Sequence, residues 1–149
     1  MGIEDRHPLV GLADEVLRLH GRLVAANGGR GDAEGLTGAQ ALVLTAVMNA
    51  GRPPTVPQIG RSLGHARQSV QRIANALIAQ GLVTSEENPD HKRAPLLLPT
   101  EAGRAVHARL QDRAQVWIAR VTEGIDPEDL TAATKTLRTL RERLEADLR

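Results

Sequence analysis

Between Thr55 and Thr100 the chain reads TVPQIGRSLGHARQSVQRIANALIAQGLVTSEENPDHKRAPLLLPT, and the elements this run can form restrict the fold more than any other feature. Thr55 and Gln58 make a Thr-x-x-Gln capping box, with Pro57 in the first turn of a short helix that turns Ile59 and Leu63 inward and ends at Gly64. A second helix follows from about Ala66 to Gln80. Its Val70, Ile73, Ala74 and Leu77 repeat at i, i+3, i+4 and i+7, and Gly81 closes it. Arg67, Gln68, Gln71, Arg72 and Asn75 fall on its other faces. Leu82–Ser85 reads as a strand, Glu86–Ala94 as a polar loop turning at Asn88-Pro89-Asp90, and Pro95–Pro99 as the returning strand. His91, Lys92 and Arg93 sit at the hairpin tip. Helix, turn, longer helix and basic hairpin, in that order, predict a winged helix-turn-helix.

The flanks read as a frame for this module. Leu9, Leu12, Val16, Leu19 and Leu23 recur at alternating spacings of three and four, a helix seam that wants another helix. The Gly-rich stretch Asn27–Gly35 ends that helix in a loop. Thr37 can cap the next one, whose buried face is expected at Leu42, Val43, Ala46 and Val47 before the Gly51–Pro54 breaker. After the hairpin, Thr100 and Glu101 open a helix with Val106, Leu110, Trp117 and Val121 on one stripe, ending near Thr122. Gly124–Pro127 breaks the chain. A last helix, Glu128 to about Leu148, places Leu130, Leu137 and Leu144 seven apart, with Leu140 and Leu148 beside them. The expected class is mainly α with a small β-hairpin. Residues 1–35 form an N-terminal dimerisation helix and loop, 36–100 the winged lobe, and 101–149 the C-terminal dimerisation helices. One small lobe cannot easily bury leucine seams at both ends of the chain, so two copies sharing a helical core are expected.

Charge distribution points to the partner. The net charge is only +1, yet Leu36–Ser85 holds no Asp or Glu while carrying Arg52, Arg61, Arg67 and Arg72. That segment is +4 and the remainder −3. A surface approaching phosphates excludes carboxylates in this way. The major groove admits one α-helix, and a helix-turn-helix presents the first residues of its second helix to base edges. Here these are Arg67, Gln68, Ser69, Gln71 and Arg72; Arg pairs with guanine and Gln with adenine. Arg72 has an intramolecular ion pair as its alternative. Thr55 stands at a helix N-terminus, where free amides suit a phosphate. His91, Lys92 and Arg93 are placed to reach the neighbouring minor groove. Trp117 is the only member of Phe, Tyr and Trp in the chain, which disfavours base stacking and hence single strands and RNA.

Several functions are disfavoured. The absence of cysteine excludes disulfides, thiol catalysis and Cys-ligated zinc. The five histidines are scattered with no paired metal spacing, and no phosphate loop, dinucleotide fingerprint or nucleophile elbow occurs. An enzyme, a resident metal and a cofactor are therefore not expected. The start, MGIEDRHPLVGLADE, is too acidic and broken for a signal peptide, and no apolar run nears the roughly 20 residues of a membrane span. A soluble cytoplasmic protein without membrane association is the expectation.

The stretches SVQRIANALIAQGLV (Ser69–Val83) and NPDHKRA (Asn88–Ala94), followed by Thr100, Glu101, Ala102 and Gly103, resemble MarR-type transcriptional regulators. The likeness extends over nearly the whole chain. It implies a homodimer whose two recognition helices and two wings engage a pseudo-palindromic operator. It also implies a cleft between the dimerisation and DNA-binding regions where a small-molecule effector weakens binding, hence a ligand-modulated repressor. The chain departs from the family pattern at three places. His91 stands where an Asp usually supports the wing Arg, Ala66 where a Ser caps the recognition helix, and Pro99 where a Leu precedes Thr100. Effector-lining residues are not assigned; His20, Leu44, Met48 and Trp117 are candidates by segment alone. Two readings from other classes stay open: a winged-helix interaction or sensor module without specific DNA binding, and a metal-responsive regulator of similar shape.

Overall fold

A computed structural model describes residues 7–27 and 31–148. Residues 1–6, part of the stretch judged not to be a signal peptide, and residues 28–30 of the expected Gly-rich loop lie outside the described residues. Six α-helices and one hairpin follow in the order α1 (Pro8–Asn27), α2 (Gly38–Asn49), α3 (Val56–Leu63), α4 (Arg67–Ala79), β1 (Val83–Glu86), β2 (Leu96–Pro99), α5 (Glu101–Val121) and α6 (Pro127–Asp147), with a short 3-10 turn at Asp32–Glu34. The chain is thus mainly helical with a two-stranded antiparallel sheet, as the periodicities indicate.

Local chemistry accounts for most boundaries. The Thr55–Gln58 capping box forms in full, and Thr37 and Gln40 form a second one at α2. α4 ends in a Schellman turn: Gly81 takes φ +73°, its N–H reaches Ile78 O at 2.9 Å, and the Leu82 N–H reaches Leu77 O at 3.0 Å. That bond uses the Leu82 amide, and β1 begins at Val83 instead of the expected Leu82; β2 likewise begins at Leu96 instead of Pro95. The ladder pairs Val83 with Pro99 and Glu86 with Leu96, so Pro99 sits at its end, where the loss of a donor matters least. Thr100 caps α5 by accepting the Gly103 N–H at 3.0 Å and donates to Gly81 O at 2.6 Å, which ties α5 to the end of α4. Gly103 has no room for a side chain: a Cβ there would stand 2.0 Å from Leu82 O.

One apolar core joins α2, α3, α4, the hairpin and the start of α5. Val43, Leu44, Val70 and Leu77 are its largest fully buried side chains. Two expected stripes are corrected. On α2 the core face uses Leu44 (0 % exposed) and not Leu42 (39 %), because Leu42 turns toward α5 while Val43, Leu44 and Val47 face the core. On α5 the buried face runs Gly103, Val106 and Ala114 with Trp117 half-buried, and Val121 is exposed in the last turn, beyond the core's reach.

The outer helices are different. Every side chain of α1 from Pro8 to Ala26 is exposed, including all five leucines and valines of the expected seam. On α6, Leu137 and Leu140 are half-buried while Leu130, Leu144 and Leu148 are exposed. α6 lies against α3, where Arg141 donates to the Ser62 hydroxyl at 3.4 Å.

Candidate nucleic-acid interface

The orientation of α4 follows from three side chains. Val70, Ala74 and Leu77 are anchored in the core, so the helix turns Arg67, Gln68, Gln71, Arg72 and Asn75 to the outside. Ser69 is half-buried, between the two faces. The α3–α4 turn sets the helix start: Gly64 adopts φ +68°, and the His65 N–H bonds Gly60 O at 2.8 Å. Ala66 supplies no side-chain cap, so the first amides of α4 are left to whatever approaches this end.

The hairpin closes the other side. Between α4, the approach to α3 and the hairpin lies a groove of about 1110 Å³. α4 contributes Arg67, Gln71 and Asn75 to its wall; the hairpin contributes His91 and Arg93. The structure therefore brings together five of the sequence-derived candidates from three separate segments: Thr55, Arg67, Gln71, His91 and Arg93. Gln68, Arg72 and Lys92 are exposed beside this groove without lining it, and Ser69 is partly withdrawn.

Thr55 performs the capping expected of it. It is 6 % exposed, and its hydroxyl accepts the Gln58 N–H at 3.3 Å while its own N–H bonds Gln58 Oε1 at 2.9 Å. Pro57 has no N–H, so the start of α3 offers a phosphate little beyond the Val56 amide. Thr55 lines the groove and holds α3 in place through its capping box, leaving the Val56 amide as the free donor at this helix start.

Two arginines complete the site: Arg52, in the turn before α3, and Arg61, on α3, both exposed and both lining the groove. Their signal was the acid-free segment, but spacing alone did not bring them beside Arg67 and Arg93. Four arginines thus face one carboxylate, Asp90, in this groove. Among the described residues none of Arg52, Arg61, Arg67, Arg72, Lys92 and Arg93 is engaged in an ion pair, so the alternative read for Arg72 is not realised there. Gln71 donates to Asn75 Oδ1 at 3.0 Å, which steadies both amides on the outer face. The surface is chemically suited to a polyanion with hydrogen-bonding edges.

A second, smaller cavity of about 170 Å³ lies between α2 and α5, lined by Gly38, Ala41, Leu42, Thr45, Leu110, Gln111 and Ala114. None of His20, Leu44, Met48 and Trp117 lines it, and Leu44 belongs to the core. Near the same helix pair, Glu34 receives both Arg109 Nε and Nη2 at 3.0 Å and Arg113 Nη2 at 2.6 Å. These hydrogen bonds, Arg109 first, hold the Glu34 carboxyl at a pKa of about 2, and Glu34 in turn raises that of Arg109. Among the described residues no group of three or more acidic or imidazole side chains is placed to hold a metal ion.

Known proteins share this sequence pattern and fold. The MarR family model matches residues 34–94, from the 3-10 turn to the end of the hairpin loop. The uncharacterized protein Rv2011c of Mycobacterium tuberculosis is 40% identical over 145 residues, covering 97% of this chain and 93% of its own length. Among solved structures, the MarR family transcription regulator SP03579 superposes with a TM-score of 0.67 at 28% identity, covering 94% of this chain and 91% of that one. CouR from Rhodococcus jostii, solved with p-coumaroyl-CoA bound, superposes with a TM-score of 0.72 at 20% identity over 87% of this chain and 91% of its own.

Proposed function

Because the chain belongs to the MarR family of transcription regulators, we propose that it binds duplex DNA sequence-specifically as a homodimer, on a pseudo-palindromic operator, and represses transcription in the cytoplasm until a small molecule releases it. The observation that carries the DNA-binding reading is the groove in which Arg67 and Gln71 of α4 stand opposite His91 and Arg93 of the hairpin, with Arg52 and Arg61 beside them. A recognition helix for base edges and a cationic hairpin for the backbone or minor groove share one outer surface.

The dimer is supported by α1. Its seam leucines are exposed in the single chain, and Leu130, Leu144 and Leu148 of α6 are exposed as well. Contiguous apolar helix faces of this kind are covered by association. Release by a ligand rests on family membership, on CouR's complex with p-coumaroyl-CoA and on the cavity between α2 and α5.

Selection of bound duplexes from a random pool, followed by footprinting, tests the proposal. The expected result is an enriched inverted repeat whose half-sites fall on one DNA face about 34–36 Å apart. A pool with no enrichment at moderate salt would overturn it in favour of a protein-interaction module.

A further inference from the structure

The hairpin loop carries Arg93 into the groove, yet no carboxylate braces it: among the described residues neither Arg93 nor Lys92 forms an ion pair. A loop of this polarity, displayed on the surface, would ordinarily sample many shapes. Here one polar side chain in it is withdrawn from solvent. Asn88 is 8 % exposed, and both ends of its amide are used. Its Oδ1 accepts the Asp90 N–H at 3.0 Å, and its Nδ2 donates to Ala94 O at 2.9 Å, across six residues. Two backbone bonds lie inside this bracket, His91 N–H to Asn88 O at 3.2 Å and Ala94 N–H to His91 O at 3.1 Å. The carbonyl that Asn88 holds belongs to the residue immediately after Arg93.

We propose that Asn88 is a positioning residue of the interface: its two side-chain hydrogen bonds close the loop into the shape that turns Arg93 into the groove. The proposal rests on the DNA-binding reading above. Holding the loop with a neutral amide has a consequence for charge. A carboxylate brace would spend part of the guanidinium's charge inside the protein; an asparagine leaves all of it for phosphate. Asn88 thus acts through Arg93 and need not touch DNA itself.

A double-mutant cycle of Asn88→Ala and Arg93→Ala, measured on the selected duplex over a salt series, tests this. Asn88→Ala is expected to weaken binding several-fold when Arg93 is present and to add little when it is alanine. The slope of log affinity against log salt should fall by about 1 in either single variant and no further in the double. Amide hydrogen exchange of the free protein supplies an independent readout: Asn88→Ala should speed exchange at Asp90, His91 and Ala94 while leaving Leu97 unchanged. Effects that multiply, a salt slope unmoved by Asn88→Ala, or unaltered exchange in the loop each overturn the role of Asn88 and leave the DNA reading standing. A wild-type protein that selects no duplex overturns the DNA reading, and the role assigned to Asn88 falls with it.

Discussion

Glu34 is tied to residues 75 and 79 positions further along the chain, Arg109 and Arg113, and its side chain is only 10% exposed. Through it the turn leading into α2 is fastened to α5. The carboxyl titrates at about 2 in the folded protein, below its ordinary 4.5, so the unfolded chain binds the proton first as pH falls. A lowered folded pKa means that the clamp's contribution is complete above about pH 4.5 and disappears as pH falls through about 2. Glu34→Gln keeps the volume and removes the charge. Its unfolding midpoint should lie below that of the parent near neutrality, and the gap should close between about pH 4.5 and 2; a gap that stays constant across that window would show that the ionised carboxylate is not what stabilises the clamp. No local pattern in the sequence marks Glu34, because its partners are brought to it only by the packing of the turn against α5.

α4 and the hairpin make the interface as a pair of elements, and substitutions on them should separate into two kinds. Gln68 is exposed in the first turn of α4. Gln68→Ala is expected to cost about 1–3 kcal/mol at one base pair and to relax the choice there, measured by repeating the duplex selection. Arg61→Ala, on α3, should instead weaken binding to all duplexes alike and lower the salt slope by about 1. If Arg61→Ala shifts sequence preference, or Gln68→Ala leaves it intact, the assignment of base and backbone contacts is wrong. At this scale much was legible in advance. The Thr55–Gln58 box, the Gly64 and Gly81 stops and the stripe of α4 are written within a few residues of one another, so their physics is local. α2 is less legible. Leu42, Val43, Leu44, Ala46 and Val47 are apolar nearly all round, and such a helix carries no periodic mark of which face meets the core. The cap at Thr55 is local and legible, whereas its burial depends on the groove around it.

At the scale of the whole molecule, the proposed second copy would cover α1. Leu12 and Leu19 lie on the seam of that helix, 37% and 54% exposed, away from the core of the winged lobe. Lysine at both positions preserves helix propensity while removing the apolar contact. The double variant Leu12→Lys/Leu19→Lys should sediment as a single chain, retain the wild-type hydrogen-exchange protection of the α2–α4 core, and bind the operator on the order of 10² more weakly, through loss of the second half-site. A variant that remains dimeric would place the association surface elsewhere.

Caps, stops, the apolar stripe of α4 and the exclusion of acids from Leu36–Ser85 were decided by the sequence alone, because each depends on residues within a few turns of one another. The tertiary structure decided the rest. It gathered Arg52 and Arg61 beside Arg67 and Arg93, set Glu34 between two arginines of α5, exchanged Leu42 for Leu44 in the core, and gave Asn88 the task of closing the loop. Each of these depends on which helix face packs inward or on where the chain returns, and the one-dimensional order of residues does not carry that distance.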